Sequence, residues 1–149
     1  MVLLVSSKNL QRKMEQITNK KIGNDFESFF CELLFSNGFW VHNLAQNQAG
    51  QPADVIAARN GKSYLIDCKA CTKNGFPFER IEDNQELSMT LWNERGNGIG
   101  WFALRTKDDE IYMFSHYALK GYEKLKSKLS NDEIKLYGQP IEEWIAKCK

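Results

Sequence analysis

The sequence predicts an α/β protein, a mixed β-sheet flanked by helices, on three observations. Two stretches, about 24–37 and 81–95, carry apolar residues at helical spacing. Short runs of strand character lie between and after them, and two of these runs are joined by Asn60-Gly61, among the strongest hairpin-turn signals. The resulting order of helix, three strands, helix, two strands and helices suits a mixed sheet covered on its faces.

In the first helix, Phe26, Phe29, Phe30, Leu33 and Leu34 recur at i, i+3, i+4, i+7 and i+8, a stripe that faces a core. Asn24 is placed to cap this helix, with Glu27 in a capping-box position, and Gly38 to end it. FWVHNL (39–44) reads as a strand, and AQNQAGQ (45–51) as a polar loop. CTKNGFPFER (71–80) is rich in turn residues and reads as a loop. The second helix shows its spacing through Ile81, Leu87 and Leu91. IGWFALR (99–105) and EIYMFSH (110–116) form a second hairpin around Lys107-Asp108-Asp109. The remainder reads as helical and polar, anchored by Trp144 and Ile145.

With 149 residues, 42% of them hydrophobic and 26% charged, the chain has the length and composition of one soluble domain. Residues 1–22 are read as a basic arm, with Lys8, Arg12, Lys13, Lys20 and Lys21 against Glu15 alone. Such an arm is either a solvated tail or a contact for phosphate. Residues 23–149 are read as a single domain with a helical C-terminal extension. The opening MVLLVSS lacks the length and basic leader of a signal peptide, and no apolar run reaches membrane-spanning length. The expectation is a cytoplasmic protein with no membrane partner. Cys68-Lys-Ala-Cys71 matches CxxC, but no second ligand pair stands at suitable spacing, and Cys68 sits inside a strand. All four cysteines are read as reduced packing thiols.

The Asn60-Gly61 turn carries a consequence for charge. If those two residues form the turn, Arg59 faces Lys62 and Asp54 lies opposite Asp67. Like charges across a ladder destabilise it. Alternation puts Leu65, Asp67 and Lys69 on one face, shared with Asp54 and Ile56 across the hairpin. Two carboxylates there must be protonated, solvated or bridged by a cation, and a hard divalent ion such as Mg²⁺ is one resolution. The competing reading is a surface aspartate pair at a sheet edge, neutralised by Lys69. Glu27, on the edge of the helix's apolar stripe, either joins this site or is a plain capping glutamate.

With these residues in place, the chain resembles the PD-(D/E)xK nuclease superfamily. Within it, the resemblance is to Holliday junction resolvases of the RecU and archaeal Hjc type. GNDFE (23–27), PADVIAARNGKSYLIDCK (52–69) and FPFERIEDNQ (76–85) carry the likeness, in the family's order of elements. It implies a restriction-endonuclease-like core that cuts four-way DNA junctions by paired nicks in recombination and repair, as a homodimer with Mg²⁺, Mn²⁺ substituting. It implies Glu27, Asp54 and Asp67 as acidic metal-site residues and the backbone carbonyl of Cys68 as a further ligand. Lys69 would be the catalytic lysine and Gln85 a supporting polar residue. Arg12, Lys13, Lys20 and Lys21 of the arm, with Lys73 and Arg80, are expected to contact DNA phosphates. The chain departs from the pattern in its displaced proline, Pro52-Ala53-Asp54, in Asp rather than Glu at 67, and in a loop 45–51 too short for a stalk. The alternatives are another DNA endonuclease of this superfamily (nicking, branched-DNA or restriction-like) or a non-catalytic DNA-binding module of the same fold.

Overall fold

The computed structural model describes residues 24–44 and 53–148; the predicted arm and the loop 45–51 lie outside them. Helix α1 (Asn24–Ser36) leads into β1 (Trp40–Asn43), β2 (Val55–Arg59) and β3 (Lys62–Ala70). Then come the short β4 (Phe76–Pro77), a 3₁₀ turn at Phe78–Arg80, and helix α2 (Asp83–Glu94). Strands β5 (Trp101–Arg105) and β6 (Ile111–Ser115) precede α3 (His116–Glu123), β7 (Lys128–Leu129), α4 (Asn131–Tyr137), β8 (Gln139–Pro140) and α5 (Ile141–Lys147). The mixed sheet runs β1-β2-β3-β5-β6-β8, with β3 and β5 parallel and every other pair antiparallel.

The predicted α1 stripe is the buried face: Phe26, Phe29, Phe30, Leu33 and Leu34 are all in the core. The Phe39 N–H returns to the Leu34 carbonyl at 3.1 Å and closes the helix as Gly38 predicts. Asn24 stands at the first helical residue, and its side chain lies outside the described residues. Both turn residues of the β2–β3 hairpin have positive φ, Asn60 at 54° and Gly61 at 79°, the type I′ geometry that matches strand twist. The register follows as predicted, from Arg59–Lys62 to Val55–Ile66.

Alternation divides the sheet between two cores. Val55, Ala57, Ile66, Cys68 and Ala103 pack against α1 and α5. Leu65, Phe102, Leu104 and Phe114 pack against Met89, Leu119 and Ile134 on the other face. Trp144 and Ile145 anchor the C-terminus as expected, with the Trp144 indole stacked on Phe39 at 6.0 Å. Arg59 fastens this corner: it is buried, donates to the Asn37 and Ile145 carbonyls at 3.1 and 2.9 Å, and lies over the Phe39 ring.

Three elements differ from expectation. The stretch 71–80 is not all loop, because β4 pairs with β7. The C-terminal part is not all helix, because β8 adds a sixth strand beside Tyr112 and Met113. Both additions are two residues long, too short for alternation to reveal. In α2 the helix is present, but Leu87 and Leu91 face solvent while Gln85 and Met89 are buried. The apolar spacing there marks the outer face, since the inner face is set by what it must reach on β3.

Gly75 joins β4 to the C-terminal segment. It has φ 81°, and a Cβ placed on it would stand 2.1 Å from the Leu129 carbonyl oxygen. Gly98 has φ 91° with open space around it. Gly75→Ala is therefore expected to destabilise the fold by about 3 kcal/mol or more, and Gly98→Ala by only about 1 kcal/mol. Urea unfolding of the two variants measures the difference.

Candidate active site

The site forms where β2 and β3 part. Their regular pairing ends at Val55–Ile66, one residue short of the two aspartates. The Asp54 N–H donates to the Ile66 carbonyl at 3.2 Å instead of continuing the ladder. The Asp54 carboxylate then takes the place of a ladder acceptor: its Oδ2 receives the Cys68 N–H at 2.8 Å. The predicted face-to-face ladder pair is thus corrected, because the Asp54 backbone has already left the register. The two carboxylates nevertheless stay coupled by charge.

A strand residue projects its N–H and C=O to the same side. The Cys68 carbonyl therefore points toward the side where Asp54 stands. The Cys68 side chain points out of the sheet plane, into the core beneath α1.

Asp67 is fully buried and engaged at both oxygens. Gln85 Nε2 donates to Oδ1 at 3.0 Å, and the Lys69 ammonium lies 3.2 Å from Oδ2. Oδ2 makes no well-aligned hydrogen bond, so this contact is an ion pair rather than a directed bond. Gln85 cannot turn its amide over, because Oε1 accepts the Glu82 N–H at 3.2 Å in the first turn of α2. One helix start thereby fixes one carboxylate of the cluster.

Glu27 reaches the same place from α1. Burial, then the Asp54 charge, pushes its carboxyl up to about 7, with Lys69 pulling the other way. Burial, then Asp54, likewise raises Asp67 to about 8. Glu27, Asp54, Asp67, Lys69 and Gln85 are therefore all brought together. Three carboxylates against one ammonium leave the cluster short of positive charge.

Among the described residues no three His, Cys, Asp or Glu side chains stand ready-spaced as a metal cluster. Asp54 is turned onto Cys68 and Asp67 onto Gln85 and Lys69. The donor set still fits a hard divalent ion: two or three carboxylates, one carbonyl, and a buried Oδ2 with no aligned donor. A cleft of about 520 Å³ lies elsewhere, between the Gly61 turn and Gly96–Ile99, and the carboxylates do not line it.

The predicted phosphate contacts are less uniform. Arg12, Lys13, Lys20 and Lys21 lie outside the described residues. Lys73 is exposed beyond the end of β3. Arg80 is half-buried; it donates to the Ala70 carbonyl at 2.7 Å and lies over the Phe76 ring, so part of its guanidinium holds the loop. Sequence reasoning assigned nothing to Arg105. It is buried over the Phe26 ring at the start of α1, with Nε and Nη1 lacking aligned acceptors. A lone arginine ending an apolar strand was the only available signal. All four cysteines are free, and burial pushes each thiol up, as packing groups should be. No helix among the described residues is long and apolar enough to cross a membrane.

An acid at the parting of two strands, an acid-x-Lys on the next strand and a helical glutamate define a nuclease of the PD-(D/E)xK class. The model of the archaeal Holliday junction resolvase (Hjc) family matches residues 18–147. The chain belongs to that family, whose members are structure-selective, metal-dependent junction endonucleases. Its fold is similar to that of Archaeoglobus fulgidus Hjc, a Holliday junction resolvase from an archaeal hyperthermophile. The TM-score is 0.65 at 16% identity, over 83% of this chain and 99% of that one. A search of curated proteins found no significant match.

Both raised carboxyls bind protons more tightly folded than unfolded. The metal-free protein therefore loses stability as pH rises from about 4 to about 8. Asp67→Asn removes the buried charge and keeps an acceptor for Gln85. In chelator at pH 8 it is expected to unfold at higher denaturant than the wild type, by about 1–3 kcal/mol, with the gain gone near pH 4. Equal stability of the two proteins at pH 8 would contradict the buried, uncompensated charge.

Proposed function

We propose that the chain resolves four-way DNA junctions as a homodimer, nicking two symmetric strands with Mg²⁺, for which Mn²⁺ substitutes. Asp54, Asp67, Glu27 and the Cys68 carbonyl would hold the ion. The observation that supports this most strongly is the convergence of three carboxylates and one lysine at the single point where the β2–β3 ladder opens.

When bound, the divalent ion supplies Lewis-acid activation of water and of the scissile phosphate. The chain supplies the geometry. Gln85 holds the Asp67 carboxylate by Oδ1 and leaves Oδ2 toward Lys69. Lys69, nearly buried, presents its ammonium to the attacking water or a phosphate oxygen, and its charge offsets that of the phosphate as the bond forms. Glu27 would complete the ion's carboxylate set from α1, directly or through water. Lys73, Arg80 and the basic arm would add sequence-independent phosphate contacts.

The test is Mg²⁺-dependent cleavage of a synthetic four-way junction beside a linear duplex of the same sequence. Asp54→Asn and Asp67→Asn are each expected to lose about 100-fold or more. Gln85→Leu is expected to lose roughly 10- to 100-fold, mostly through weaker divalent binding, because only the positioning of Asp67 is lost. Undiminished cleavage by Asp67→Asn would show the site to be wrongly assigned. Equal cleavage of the linear duplex by the wild type would overturn junction resolution.

A further inference from the structure

Among the described residues, the face of the sheet that carries Asp67 and Lys69 is covered only in part. Helix α2 packs over β3 and β5, where Met89 meets Gly100 and Gln85 meets Asp67. Beyond it, β1 and β2 present Trp40, His42, Ile56 and Ala58 on that same face. Their placement follows from the register, which sets Trp40 beside Ala58 and His42 beside Ile56, while Val41 and Ala57 turn to the α1 core. Ile56 in turn faces Leu65, two residues before Asp67.

Trp40 is 62% exposed on this surface. Its indole lies nearly parallel to the exposed His42 imidazole, with planes 13° apart and centroids separated by 6.2 Å. A rise of about 3.4 Å per residue and about 4.8 Å between strands puts the His42 backbone roughly 12 Å, and that of Trp40 roughly 17 Å, from Asp67. Both distances fall within one turn of a duplex whose phosphate is held at the carboxylates.

We propose that Trp40, backed by His42, is a stacking platform for a base at the branch point of the junction. This rests on the junction reading above and names the part of the substrate that this surface takes. An exposed indole is a large flat π surface, and base–aromatic stacking is tolerant of sequence. A four-way junction interrupts base stacking where its arms meet, so a base face is available there that a continuous duplex does not offer. The platform is continuous with the catalytic face, so one substrate spans both. Trp40 is thereby a specificity-determining residue, which favours branched over linear DNA.

The test measures binding of a fluorescent four-way junction and of a linear duplex in chelator, with 2-aminopurine at the branch point as a second readout. Trp40→Ala is expected to lower the preference for junction over duplex about tenfold. It should also abolish the change in 2-aminopurine fluorescence on binding. Trp40→Phe is expected to keep most of both, and Trp40→Leu, apolar but without a π face, to lose both. Wild-type preference and fluorescence in Trp40→Ala would overturn the proposal. So would a change from dimer to monomer in sedimentation, which would assign this surface to a second copy of the chain. A wild type without preference for the junction would instead overturn the underlying reading of function.

Discussion

Where two strands of a sheet part, the backbone donors beyond the last pair must find other acceptors. Here the Asp54 carboxylate is that acceptor, bound to the Cys68 N–H at 2.8 Å. This single bond holds a carboxylate at the opening of the hairpin, beside Asp67 and Lys69, and closes the end of the ladder with the same atom. Its position depends on the Asn60-Gly61 turn, six residues away along each strand, since a one-residue slip would send Asp67 to the α1 core. Asp67 and Lys69 follow from alternation once that register is set.

The rest of the fold keeps this opening rigid. The loop after β3 is tied down from several directions. Arg80 donates to Ala70, Asn131 donates to the Thr72 carbonyl at 2.9 Å, and β4 is paired to β7. Those ties carry the chain into α2 at the height at which Gln85 meets Asp67. The C-terminal residues therefore act on the site without approaching it, and α5 closes the opposite core through Trp144.

The fold class, the hairpin register and the placing of Asp67 and Lys69 on one face of β3 were legible because each rests on local rules. These rules are a turn dipeptide with positive φ, alternation along β3, and a helical stripe ending at Gly38. What escaped was nonlocal. Two-residue strands such as β8 carry no period and exist only because Tyr112 and Met113 offer them an edge. The exposure of Leu87 and Leu91 was equally hidden, since apolar spacing identifies a helix without saying which side meets the sheet. Asp54 was placed opposite Asp67 by counting, but no count could show its backbone leaving the ladder one residue early. Only the family likeness points to Gln85, and its physical reason, an amide locked between Glu82 and Asp67, includes a contact far apart in the chain.

The two ends of the sheet differ in what they offer. At one end β8 is two residues long and includes Pro140, which has no N–H to give. That edge is a poor template for another strand. At the other end β1 is the last strand among the described residues and keeps ladder groups on its outer side. A sheet with one competent edge can join only another such edge, and the joined pair has none left. Among the described residues, edge-to-edge pairing therefore has one open route, at β1, where a sheet open at both sides would have two.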